Sequence, residues 1–118
     1  VDAERSLGAV AQRFVVGAAR VEDLHQAFLA AVVFCPAGER PGFVALGDPP
    51  AGVVPMFSSE GELVRLAGAV AWFSATGRDV LALLPSGYDV LLDPGGESPL
   101  RLRPAALRTQ PAMIIGWR

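Results

Sequence analysis

The chain has 118 residues, a net charge of −2 and 52% hydrophobic residues; its ten cations are all arginine, lysine and asparagine are absent, and His25 and Cys35 are the sole members of their types. Without lysine there is no Schiff-base enzyme and no Walker-type phosphate loop. One histidine and one cysteine cannot furnish four zinc ligands or an internal disulfide, and without asparagine there is no N-glycosylation acceptor.

Length predicts one domain over 1–118, large enough to bury a core without staples. A mean hydropathy of +0.40 argues against disorder. The longest apolar run, Ala27 to Cys35, is half of what a spanning helix needs, so no membrane span is expected. The chain opens on Val1 with no basic segment, apolar run and small-residue cleavage site in succession. A single thiol suits a reducing compartment, which points to the cytoplasm, and equally a disulfide-free secreted domain. Residues 98–118 carry Arg101, Arg103, Arg108 and Arg118 and no acid. With Trp117 as their sole aromatic companion they fall short of a nucleic-acid footprint, and a solvated arginine face is expected instead.

In chain order, Leu7, Val10, Ala11, Phe14, Val15 and Ala18 follow helical spacing behind Ser6 as N-cap, and Gly17 weakens that helix near its end. Glu22 and Asp23 open a second helix with Val21, Leu24, Phe28, Leu29 and Val32 on its apolar side, so the domain begins with a helical hairpin. A strand from Val32 to Cys35 ends at Pro36-Ala37-Gly38. Phe43 to Leu46 and Gly52 to Phe57 read as two more, the three forming a meander, with Pro55 calling for an edge position or a bulge. Ser59 and Glu62 have capping-box spacing before a short helix over 59–67. Ala69 to Ser74 alternates as a strand, and Thr76 caps a helix stopped by Pro85. Tyr88 to Leu92 and Leu100 to Arg103 form a hairpin about Asp93-Pro94-Gly95-Gly96, followed by a helical turn from Ala105 to Arg108. The fold class is α+β: a mixed, mostly antiparallel sheet of about five to six strands with the helical hairpin and two further short helices packed on it.

Few residues offer chemistry. His25 sits beside an apolar stripe, and no Gly-x-Ser-x-Gly elbow frames Ser58, Ser59, Ser74 or Ser86 as its nucleophile. Cys35 ends a buried-looking strand with no cationic neighbour. Asp89, Asp93 and Glu97 could approach one cation, but without an EF-type loop a solvated hairpin face fits them better. No metal, cofactor or catalytic residue is therefore assigned. The Trp72 to Asp79 stretch places hydroxyls, a glycine and an arginine at a helix start, where an anion site could form with Trp72, Thr76, Arg78 and Tyr88 as its lining. A capped helix in which Thr76 satisfies the backbone is the plainer reading. Candidate contact surfaces are Arg101 and Arg103 on the last strand, the apolar tail from Met113 to Trp117, and the edge near Pro55.

Taken together, Ala27 to Phe34, Pro41 to Leu46, Val53-Val54-Pro55-Met56-Phe57-Ser58-Ser59, Thr76 to Tyr88 and Asp93-Pro94-Gly95 resemble the SseB-type N-terminal domain family, over about 21–108, and most closely its actinobacterial branch of secretion-associated proteins. The resemblance implies a non-enzymatic protein-interaction or adaptor domain, accessory to a bacterial secretion system, whose partner is a protein and which could self-associate. A small-molecule or anion-binding regulatory domain at Thr76–Asp79 is the alternative.

Overall fold

The computed structural model describes residues 6–38, 42–97 and 99–107. Helix α1 (Leu7–Val15) starts where the Ser6 hydroxyl accepts from the Ala9 N–H at 3.2 Å, and it buries Leu7, Val10 and Ala11. Gly17 lies past its end and terminates it: at φ +82° it lets the Ala18 N–H reach the Arg13 carbonyl while its own N–H reaches Phe14. That paired closure needs a left-handed residue, which glycine supplies without steric cost. Helix α2 (Val21–Ala30) follows, with the Asp23 carboxylate accepting from the Arg20 N–H at 3.0 Å, and it buries Leu24, His25, Phe28 and Leu29. The expected hairpin of helices is present, and α1 packs on α2.

Five strands follow among the described residues: β1 (Val32–Pro36), β2 (Gly52–Met56), β3 (Trp72–Thr76), β4 (Tyr88–Leu92) and β5 (Leu100–Leu102). Helix α3 (Glu60–Ala67) separates β2 from β3, and α4 (Gly77–Leu83) separates β3 from β4. The strands form two sheets, β1–β3 and β2–β4–β5. β1 runs antiparallel to β3, with Val33 opposite Ala75. β2 runs parallel to β4, with Val54 opposite Val90, and β5 returns antiparallel with Leu102 opposite Val90. The class is α+β with mostly antiparallel pairing, and the β4–β5 hairpin is as expected.

The expected meander is not formed. Phe43 to Leu46 makes only isolated bridges, Ala37 to Phe43 and Leu46 to Val53. Gly42 (φ +112°) and Gly47 (φ +77°) bracket that segment too closely for a regular ladder. The third strand of the expected series pairs forward with β4 instead, and the strand predicted from Ala69 begins at Trp72. Pro55 explains part of this. Val53 and Phe57 both donate away from β4, to the Leu46 and Phe34 carbonyls, and strand alternation sends position 55 the same way. Proline has no N–H to send, so the ladder on that side breaks between two bridges. Pro55 itself is nevertheless buried.

The core lies between the sheets and helices α1, α2 and α4, and includes Leu24, Phe28, Val33, Cys35, Val54, Met56, Val80, Val90 and Leu92, all at most 1% exposed. Each such side chain contributes about 1.5–3 kcal/mol by leaving water. α4 can sit this close to α2 because residue 77 is glycine: a Cβ there would overlap the Phe28 carbonyl. Gly77→Ala should therefore cost about 1–3 kcal/mol, read as a lower urea midpoint, whereas Gly61→Ala on α3, where a Cβ would meet the Ser59 Oγ at an ordinary contact distance of 3.8 Å, should leave the midpoint unchanged or raise it.

Candidate functional site

The four residues expected to line an anion site do not converge. Trp72 packs edge-on against Phe34, ring centroids 5.2 Å apart, at the far end of β3 from Thr76. Tyr88 begins β4 opposite Gly52, and its ring occupies the space a Cβ at residue 52 would need. Thr76 caps α4, its hydroxyl accepting from the Asp79 N–H at 3.2 Å, while the Gly77 N–H bonds the Ala31 carbonyl at 2.9 Å. Those amides are spent on the fold, and the glycine answers a packing demand from α2. Arg78 is exposed, with no ion pair among the described residues.

Two of the concave regions hold the Ser58, Asp93, His25 and arginine side chains that the sequence singles out. The first, about 280 Å³, lies between α1, the start of α3 and the β4–β5 turn, lined by Gln12, Ser58, Glu62, Arg65, Asp93 and Glu97 among others. Asp93 is its centre, 9% exposed and at φ +49°. One carboxylate oxygen accepts from the Ser58 N–H at 2.8 Å and the other from the Ser58 hydroxyl at 2.7 Å, while the Asp93 N–H donates to the Met56 carbonyl at 2.9 Å. Burial raises its pKa above the usual 3.8, and the neighbouring Glu62 charge adds to this; the two Ser58 bonds and Arg65 oppose it. Arg65 grips Glu62 through both oxygens, at 2.5 and 2.6 Å. Ser59 caps α3 by accepting from the Glu62 N–H at 3.1 Å, which leaves Ser58 to Asp93.

This cleft is a clasp: it ties the end of β2 and the approach to α3 to the end of β4. The sequence names both Ser58 and Asp93, but in other roles, one as a partner for His25 and the other beside Asp89. Neither pairing occurs. His25 lies 8% exposed in a different groove, and Asp89 accepts from Arg101 Nε at 2.8 Å. Among the described residues no group of three or more His, Cys, Asp or Glu could hold a metal ion. Burial pushes the Cys35 thiol up to about 12, so it stays protonated and inert at neutral pH.

The second region is a groove of about 230 Å³ between the helical hairpin and β5. Phe14, Val21, Leu24 and His25 form one wall, and residues 100–103 the other. Arg101 and Arg103 both line it, but they differ: Arg101 is tied to Asp89 and reaches the Ala51 carbonyl at 3.5 Å, whereas Arg103 has no ion pair among the described residues. Trp117 and the rest of the apolar tail lie outside the described residues. No helix among those described is long and apolar enough to cross a membrane.

These features define an α+β fold whose buried Asp93 is held by both donors of Ser58. The chain belongs to the SseB protein N-terminal domain family, whose model matches residues 5–109. No curated protein and no solved structure matches it.

Asp93 sets two expectations. Because it holds its proton more tightly folded than unfolded, stability should fall as pH rises from its unfolded value through its raised folded value, and the cost should be complete above that. Asp93→Asn, which tolerates the left-handed backbone and keeps an acceptor for the Ser58 N–H, should flatten this dependence. Asp93→Ala should lose about 1–3 kcal/mol at neutral pH by leaving the Ser58 donors unpaired. Thermal melts across the acidic range check both. In the native protein Cys35 should resist a disulfide reagent at about pH 8 and react once urea unfolds the chain.

Proposed function

We propose that this domain is a non-enzymatic protein-interaction module, acting as an adaptor accessory to a bacterial secretion system. The family name supports the secretion context. The observation that carries the interaction reading is the groove beside β5: apolar along Phe14, Val21, Leu24 and Leu102, with Arg103 exposed at its rim. An apolar floor with a cationic rim suits a peptide segment that offers one apolar side chain and a nearby carboxylate. The chemistry supports the same view, since Ser58 is committed to Asp93, His25 sits elsewhere and Cys35 is buried.

The test is quantitative binding to secretion-system components produced from the same genome, with wild type compared to Arg103→Glu. Reversing the rim charge should weaken binding of the true partner about tenfold and reduce its salt dependence, with no change in thermal midpoint. Absence of saturable binding by any component would refute the secretion role; equal binding by the variant would remove the groove from it.

A further inference from the structure

β3 is an edge strand, paired with β1 and with no other strand among those described. Which of its peptide groups face outward follows from its neighbours' hydrogen bonds. Phe34 exchanges both backbone bonds with Phe57, at 2.9 and 2.8 Å, so its N–H and C=O point away from β3. Antiparallel alternation then makes Val33–Ala75 and Cys35–Phe73 the hydrogen-bonded pairs. Two further bonds continue that series beyond each end of the strand, Ala37 N–H to the Ala71 carbonyl and Gly77 N–H to the Ala31 carbonyl, both 2.9 Å. The N–H groups of Trp72, Ser74 and Thr76 and the carbonyls of Trp72 and Ser74 are left on the free edge.

Such an edge invites another strand, and proteins that must stay monomeric block theirs with charge, proline or a bulge. β3 has none of these. No charged residue and no proline occurs from Leu66 to Gly77, and the register with β1 runs without interruption from Val32–Thr76 to Pro36–Trp72. Val70 and Trp72 add exposed apolar surface beside it, at 41% and 38%.

We propose that the occupant is a second copy of the chain, with two β3 strands pairing antiparallel about Ser74. The outward groups are symmetric about that residue. Each Ser74 would exchange both backbone bonds with its copy, and each Thr76 N–H would meet the Trp72 carbonyl across the axis. The same two-fold brings Trp72 of one copy beside Thr76 of the other, an apolar contact with the threonine methyl. An uncharged segment gives a charged foreign peptide nothing to recognise, whereas two copies meet here without repulsion. The inference stands on the backbone of β3 and does not depend on the groove beside β5.

Sedimentation of the full chain from about 10 μM to about 1 mM, the range for an interface this small, tests it. The average mass should rise toward two chains, and exchange protection of the Trp72, Ser74 and Thr76 amides should rise with it, while Phe73 and Ala75 stay protected throughout. Ser74→Pro removes an outward N–H without touching the ladder to β1 and should remain monomeric. Ser74→Lys sets like charges on the axis and should also remain monomeric at a native thermal midpoint, which preserves the test if the proline variant fails to fold. A monomer at every concentration overturns the proposal, as does a Ser74→Lys dimer as strong as wild type. So does protection of the Trp72, Ser74 and Thr76 amides already complete in the monomer, which would show the edge covered by the chain itself.

Discussion

The two backbone hydrogen bonds between Phe34 and Phe57 hold this architecture together. They join a two-stranded sheet to a three-stranded one, giving a spatial order of β3, β1, β2, β4, β5. Pro55 prevents the joint from becoming a full ladder, so the sheets meet at a point and the core must supply the remaining rigidity. Phe57, 1% exposed, and Leu63 of α3, fully buried, are sealed outside the main core cluster. The Ser58–Asp93 clasp follows one residue after Phe57, so the joint, the clasp and the start of α3 form one continuous stretch from 57 to 60.

Reactive groups are committed elsewhere in the molecule too. Asp89 neutralises Arg101 across the hairpin, Arg65 neutralises Glu62, and Thr76 and Ser59 are spent on helix caps. Among the described residues, a groove with Arg103 on its rim and a strand edge free of charge stay accessible.

Much of the fold was readable because its signals are local. Ser6, Ser59 and Thr76 each cap the helix their spacing announces. The turn at Asp93-Pro94-Gly95-Gly96 delivers the antiparallel β4–β5 pair. Strand partnership was the part not readable, since β1 with β3 and β2 with β4 are chosen by burial across long separations and not by turns. Asp93 was noticed but misplaced: its chemistry depends on Ser58, thirty-five residues away, and no spacing rule links them. The capped helix at Thr76 is legible in the sequence, but the reason for a glycine at 77 is not, because sequence cannot show that the Phe28 carbonyl presses against it. Arg101 lies on β5 and Arg103 one residue beyond its end, and their unequal freedom follows from Asp89 on the neighbouring strand.

The pairing pattern interleaves. β1 waits for β3, and β2, which lies between them in sequence, waits for β4. No contiguous stretch of chain contains one complete sheet without also containing a strand of the other. Folding therefore demands high contact order, with loop closure accomplished before most strand pairs form, and this predisposes the domain to slow, all-or-none assembly. The two-stranded sheet is complete once β3 has emerged, but the three-stranded one needs β4 and β5, so β3, with its unguarded edge, is exposed while those strands are still being made. The window for pairing with the wrong strand is widest during synthesis, and crowding of nascent chains on one message would favour meeting another copy of β3.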